Sequence, residues 1–465
     1  MAFPSTTIIE VRSDGNDENG GAFDPVLGGF QGGTDHTQRA TPHTSVADLG
    51  STGAGSPFVT SSNAFDATHP GNAIYIVSGT NFVPGWYLIN MRIPNMLWLE
   101  RSPTPAGIGS GGVANIGGAF ASVGWLSKFI NDTLSGNLNV SGMSAWVRSG
   151  TYSITAGATL PNGTFSALNA RRFTLRGYDT VRGDNPPVGG NQPYFVTSGS
   201  GGLPSAVFRT RGVFGKQVYS NLKIDAGGNN DRVVSGDVNN LRDTFEECEL
   251  LNGDVNMTDD LSLVNCSLRG DPSGVFVDNA RILDNCELIT TGTRTTAMVV
   301  SNDYVIDQYY TISRCLIVGN SNTTSGFSGD NVYNLRDMTI INCGTGIELT
   351  DSESSVVDCL VKDCSVVGYN MPIDSTLVRC AGFNNGVHSS GGVIPIAFIA
   401  CASDPLEADY TLNSVVDGGV LLQGVSPEQA SVLEPNRDLG ATQRAGGAGG
   451  GVNFIQTRRN SMIGR

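Results

Sequence analysis

The sequence predicts an all-β protein organised around a right-handed parallel β-helix, and three observations predict it. First, the stretch from Phe245 to Ser403 repeats one phrase: an apolar residue, one or two polar ones, a cysteine and often a second apolar residue. It occurs in FEECEL, LVNCSL, LDNCEL, SRCLIV, IINCGT, VVDCLV, VKDCSV, LVRCAG and FIACAS. Second, all nine cysteines, Cys248, Cys266, Cys286, Cys315, Cys343, Cys359, Cys364, Cys380 and Cys401, lie in this stretch. Most steps between them are about 16 to 29 residues, the period of stacked supersecondary units. Third, Val264, Cys266 and Leu268 alternate with Asn265 and Ser267 as on a strand. Asn, Asp and Gly punctuate the gaps, as in LLNGDVN and IVGNSN, where tight turns need residues that tolerate the left-handed region.

A short strand per turn, with a small apolar residue returning at one place, describes a coil stacked on itself from about 140 to about 430. Cysteine is then an inward packing residue, and one reduced column of thiols is expected, with Cys248, Cys266, Cys286, Cys315, Cys343 and Cys380 pointing inward. Only Cys359 and Cys364 are close in sequence, and with no histidine nearby they do not read as metal ligands.

The 61 glycines and the charged fraction of 15% fit a turn-rich β protein and exclude a helical bundle. A net charge of −15 excludes a nucleic-acid surface over the whole molecule. The opening MAFPST has neither a basic nor an apolar signal region, and no apolar run reaches the ~18–20 residues of a membrane span. Synthesis in a cytoplasm, without membrane insertion, is expected; it agrees with reduced cysteines.

Taken in order, residues 1–55 hold one strand-like run, Thr6 to Arg12, and then so much Gly, Asn and Asp that an extended arm is expected, ordered by lying on a partner. His36 and His43, beside Asp35, read as solvated loop histidines. Residues 56–118 read as a small antiparallel β module with strands near Phe58–Val59, Ala73–Ser78, Trp86–Met91 and Met96–Arg101, followed by a linker over 103–118. Trp86, Tyr87 and Trp98 are expected in its core or at an interface. Gly107, Gly109 and Gly112 spell GxGxxG, but prolines at 103 and 105 precede them and more glycine follows, so no dinucleotide turn is expected. Residues 119–443 are expected to be a helix-capped β-helix. The helix, Ala119 to Thr133, has Val123, Leu126, Phe129 and Ile130 on one face. Early coils follow at Ala145–Arg148, SGTYSIT, GTFSAL and RRFTLRGYDTVRGD, then a long polar loop over 183–205 and strands at Val207–Arg209 and Tyr219–Ile224. Beyond Cys401 come Tyr410–Leu412 and Gly419–Leu422, and 444–465 reads as a Gly-rich, basic tail.

SAWVRSGTYSIT with RRFTLRGYDTVRGD resembles the first coils of the pectate-lyase-like and phage-tailspike superfamily of right-handed β-helices. IIEVRSDGNDENGGAFDP, GTDHTQ and SGTNFVPGWYLI resemble the N-terminal part of tailed-phage β-helix proteins, and GGVLLQGVSPE with DLGATQ resembles their C-terminal end. The resemblance implies a homotrimer on a virion, either decorating the capsid shell through contacts with the major capsid protein or serving as a tailspike that binds or depolymerises host surface glycans. The pectate-lyase set of Ca²⁺-binding aspartates with a basic proton abstractor cannot be placed on these residues. The acidic pairs Glu246/Glu247 and Asp259/Asp260 are strand neighbours, which point to opposite faces and cannot put two carboxylates into one groove. Carboxylates from different coils could. No nucleophile elbow, HExxH or phosphate loop is present. The expectation is therefore a trimeric, non-enzymatic capsid decoration with no catalytic, cofactor or metal residues, anchored by 1–118; a glycan-acting tailspike is the alternative.

Overall fold

A computed structural model describes residues 3–62, 65–134, 143–154, 172–197, 208–210, 215–227, 232–236, 241–271, 274–294, 296–301, 310–330, 333–351, 353–391 and 394–422. The expected coil at GTFSAL, Val207 and everything past Leu422, including DLGATQ and the Gly-rich tail, lie outside these residues. The chain divides into two units, Met1–Ser198 with Phe208–Leu222 and Val238–Leu241, and Gly199–Val207 with Lys223–Asp237 and Arg242–Arg465.

In the first unit, six strands close an antiparallel barrel: Thr44–Ser51, Phe58–Thr60, Ala73–Thr80, Gly85–Ile93, Met96–Leu99 and Ser110–Ile116. Ile74 pairs with both Tyr87 and Ile116, and Val59 with Leu97; these side chains fill the interior with Leu49, Ile76, Ile89 and Ala114. The expected linker is thus in part a barrel strand. Its alternation of Gly112, Ala114 and Ile116 toward the inside is hidden in the sequence by glycine. A Cβ on Gly109 would stand 2.6 Å from the Phe82 ring and one on Gly112 2.9 Å from it, so these glycines make room for Phe82. A strand, not a helix, follows them, which removes the dinucleotide reading.

The opening residues differ from an extended arm. Ile8–Val11 lies parallel to Ser144–Arg148, with Ile9 opposite Ala145 and Val11 opposite Val147, and Ser144–Arg148 continues to Arg172–Tyr178 and Gly215–Ser220. The residues that look too polar to fold are held by hydrogen bonds instead of apolar area. Asn19 Nδ2 donates to Ala40 O at 3.0 Å and Ala119 O at 2.8 Å, and the Asp24 carboxylate caps helix Pro25–Gln31 by accepting from Val26 N at 3.1 Å. Glu10 is fully buried on the Ile8–Val11 strand. Arg182 Nε donates to it at 3.0 Å while Arg182 Nη1 reaches Asp35 at 2.6 Å and Nη2 reaches Thr37 Oγ1 at 2.9 Å; the Tyr178 hydroxyl also donates to Glu10. Burial, against the opposing charge of Arg182, pushes the Glu10 carboxyl up to about 7.

The helix runs Val123–Leu134, and Val123, Leu126, Phe129 and Ile130 are buried as expected. Phe129 meets Phe3 and Trp86 with ring centroids 4.9 and 5.4 Å apart, and the helix packs against strands Ile8–Val11, Gly150–Ile154 and Gly85–Ile93. The span 183–205 is not wholly a loop: Pro193–Thr197 pairs with Gly150–Ile154, and Phe195 stacks on Tyr152 at 5.3 Å.

The second unit is a parallel β-helix with three strands per coil. Thr323–Gly329, Tyr333–Arg336 and Thr339–Ile341 make one coil; Thr345–Leu349, Ser355–Val357 and Leu360–Lys362 the next; Val367–Asn370, Thr376–Val378 and Ala381–Phe383 the one after. Register stacks like positions inward: Phe327 over Ile347 over Tyr369, and Leu335 over Val356 over Leu377, all fully buried. The outer face of the third sheet is also apolar, with Val318, Ile341, Leu360 and Ala381. The segment after the last coil folds back over it through Leu406, Leu412 and Leu422. Lys362 Nζ fastens this cover to Asp404 at 2.6 Å, and each fully buried leucine there contributes about 1.5–3 kcal/mol.

The cysteines form two columns and one outlier, not a single column. Cys248, Cys266, Cys286, Cys315, Cys359 and Cys380 follow the corner between second and third strands; Met338 takes the place in the coil that lacks one. Cys343 and Cys364 follow the corner after the third strand, so Cys343 belongs with Cys364 and Cys359 with the main column. Cys401 sits in register beyond Ala400 on the outer face. All nine are buried. Sγ of Cys266 donates to Phe245 O at 3.3 Å and that of Cys380 to Val356 O at 3.2 Å, each to the preceding coil. Burial, with Asp404 nearby, pushes the Cys401 thiol up to about 11, and burial raises Cys286 and Cys359 as well. Hydrogen bonding with neighbouring thiols acts the other way, holding Cys266, against its burial, and Cys364 below the ordinary value. A reagent must reach a thiolate to modify it, and all nine are buried, so the native protein at pH 8 is expected to resist a thiol reagent, with Cys401, the most exposed at 8%, reacting first and the columns only on unfolding. Rapid native modification of several thiols, counted by mass spectrometry, would contradict this packing.

Candidate functional site

The corner between second and third strands turns on a single residue in the left-handed region: Glu247, Asn265, Asn285, Arg314, Asp337, Asp358, Arg379 and Ala397, with φ between 50° and 57°. Each is the residue just before a cysteine, Met338 or Phe398. Asn and Asp tolerate this conformation through local hydrogen bonding; Arg314 and Arg379, which lack that preference, each have a side-chain partner. Both partners are carboxylates one coil back. Arg379 grips Asp358 bidentately, Nε to Oδ1 at 2.8 Å and Nη2 to Oδ2 at 3.0 Å, and Arg314 Nη2 pairs with Asp284.

Between these arginines the column places two carboxylates on successive coils. Arg336 and Val357 are register partners, so Asp337 and Asp358 occupy the same corner position one coil apart. Asp337 N donates to Val357 O at 3.1 Å and Asp358 N to Val378 O at 3.0 Å. Adjacent strands lie ~4.7–4.9 Å apart, which sets the backbone spacing of the pair. Asp358 is 3% exposed, and Asp337 is half-buried. Beside them Arg336 Nε donates to Asn334 Oδ1 at 3.0 Å, and Asn285 Nδ2 donates to Asn265 Oδ1 at 2.7 Å farther along the same column. The arrangement offers a fixed, charge-compensated carboxylate next to a more accessible one.

The sequence quotes Asp358 in VVDCLV without a role and passes over Asp337, because its coil carries methionine in place of cysteine. Aligning NLRDMTI under VVDCLV gives Asp337 and Asp358 the same place in the repeat; the strand pairing makes them neighbours. Of the acidic pairs noted in the sequence, Glu246 ends a strand while Glu247 turns the corner, and the side chains of Asp259 and Asp260 lie outside the described residues. Trp86 and Tyr87 are buried, whereas Trp98 is 38% exposed beside Phe58. The loop histidines are not solvated: His36 is 8% exposed and stacks on His43, because the fold brings a third, His69, against them. Among the described residues no group of three or more His, Cys, Asp or Glu is placed to hold a metal ion.

No family model and no curated protein matches the chain. Two solved structures are similar to it. One is the catalytic domain of a GH87 α-1,3-glucanase in complex with nigerose, at 10% identity over 77% of this chain and 90% of that chain, with a TM-score of 0.21. The other is a variant of that catalytic domain in complex with tetrasaccharides, at 8% identity over the same shares, with a TM-score of 0.20. The expectation of a non-enzymatic protein stands against this finding and is not kept, both matches being catalytic domains; at TM-scores near 0.2 the likeness assigns neither an activity nor a substrate. The parallel β-helix expected from the cysteine phrase is the fold of this chain.

Proposed function

We propose that the protein binds an extended polysaccharide on its β-helix and cleaves it at the Asp337–Asp358 pair, as a tailspike-type glycan depolymerase. The observation that carries this reading is the placement of two carboxylates at one corner position of successive coils. Retaining glycoside hydrolysis needs two carboxyl groups ≈ 5–5.5 Å apart, close to the ~4.8 Å rise between coils. In this reading Asp358, oriented by Arg379, attacks the anomeric carbon as the bond to the leaving oxygen breaks, and Asp337 gives that oxygen its proton. Water, losing a proton to Asp337, then displaces the sugar from Asp358. Arg379 is a positioning residue.

The homotrimer and the virion surface belong to the same proposal, on the likeness of the opening and closing segments to phage β-helix proteins. The pair favours a protein that acts on a glycan over one that decorates a capsid. The test incubates the full chain with bacterial capsular and lipopolysaccharide-derived polysaccharides and with neutral glucans, measuring new reducing ends and chain length. Cleavage of at least one polysaccharide supports the proposal. Binding without cleavage would refute the catalytic role, and neither binding nor cleavage would refute the glycan reading itself.

A further inference from the structure

Three of the chain's four histidines meet in the first unit, in a place the proposed glycan site does not use. His36 and His43 stack with ring centroids 3.7 Å apart and planes 6° from parallel; His69 stands edge-on to both, at 6.4 and 5.4 Å. Their hydrogen bonds fit neutral rings. His43 Nδ1 lies 3.1 Å from an Arg39 guanidinium nitrogen and must accept from it, which leaves Nε2–H facing Asp66 at 3.5 Å. His36 Nε2 is 2.8 Å from Thr68 Oγ1, and His69 Nε2 is 3.0 Å from Thr44 Oγ1. His69 is fully buried, and its Nδ1 has no hydrogen-bond partner. A proton on His43 Nδ1 would point at Arg39, and one on His69 Nδ1 would be a buried donor without an acceptor, so the cluster is built for the uncharged state.

The histidine segment holds other segments in place. His36 O accepts from Gly118 N at 2.9 Å and Arg39 O from Ala119 N at 2.8 Å. The 117–120 crossing in turn accepts from Gly20 N and Gly21 N, and at Phe120 it exchanges hydrogen bonds with Glu10 and Arg12. We infer that the His36–His43–His69 cluster is an acid-sensitive latch: protonation drives its rings apart, frees the 34–43 segment from the 66–72 turn and loosens the N-terminal strand Ile8–Val11 while the coils of the second unit stay folded.

The charged groups facing the cluster are Asp35 and Asp66, which favour protonation, and Arg39 and Arg92, which oppose it. Burial outweighs them, holding His36 below the ordinary value and taking His69 from 6.5 to about 4. A base whose folded pKa is depressed stabilises the fold fully above its unfolded value. Its contribution is lost as pH falls, here from about 6.5 toward 4.

The test is amide hydrogen exchange on the full chain between pH 7.5 and 4.5, corrected for intrinsic rates, on the wild type and on His69→Gln. Because Glu10 and Glu100 are pushed up to about 7 by burial and act with the opposite sign, the readout is the difference between the two proteins. At pH 4.5 the wild type is expected to lose roughly 10²-fold protection over 34–43 and 66–72, as a shift from 6.5 to about 4 requires, with no such loss in His69→Gln. Equal pH profiles in the two proteins would overturn the inference, as would loss of protection spread evenly over both units. If His69→Gln does not fold, imidazole titration of the wild type by NMR decides: His36 and His69 titrating near the ordinary value with no change in the 34–43 amides would overturn it too.

Discussion

Asp337→Asn is expected to lower polysaccharide cleavage by about 10²–10⁴-fold, the usual contribution of a positioned acid–base group, while leaving the fold intact. The amide keeps the size and left-handed tolerance of aspartate at φ 53°, and Asp337 is half-buried, so thermal unfolding should move little. The loss should fall on kcat, because the proton is needed in the transition state and not for binding. Asp358→Asn is expected to abolish cleavage as well, but with a stability cost of about 1.5–3 kcal/mol, since the bidentate Arg379 would lose its charged acceptor. Reducing-end release at saturating polysaccharide, with circular dichroism melts alongside, separates the two. Unchanged cleavage in Asp337→Asn would remove the pair from the mechanism.

Glu10→Ala is expected to destabilise the first unit by about 3–5 kcal/mol, the cost of leaving one partner of a buried ion pair uncompensated. Arg182 would keep Asp35 and Thr37 but lose two bonds to Glu10, and the Tyr178 hydroxyl would lose its acceptor. Urea unfolding followed by the fluorescence of Trp86 and Trp125, both in this unit, reads the change. Glu10→Gln tests the pH dependence. An acid whose folded pKa is raised from 4.5 to about 7 stabilises most below 4.5, and that contribution is lost as pH rises toward 7. Glu10→Gln should therefore flatten the stability profile in this window, and an unchanged slope there would show that Glu10 is not the group responsible.

The repeat and its period were legible in the sequence because each coil must turn its corner at the same place. A polar residue tolerant of the left-handed region followed by a small buried one is a local requirement, and local requirements leave a local pattern. The amphipathic helix Val123–Leu134 was legible for a similar reason, its apolar face being written into a single element. The barrel strand Ser110–Ile116 was not, since its glycines are there for Phe82, a residue some thirty positions away. The opening residues were misread because buried hydrogen bonds from Asn19, Asp24 and Glu10, whose partners are distant in sequence, stabilise them where apolar area does not. The candidate site shows the same division. The sequence determined that Asp358 stands before a cysteine at a coil corner, but which residue is its neighbour depends on how many residues each coil spends elsewhere. Only the stacking of coils in register placed Asp337 beside Asp358, and only packing of the 34–43 segment against the 66–72 turn brought His36, His43 and His69 into one buried cluster.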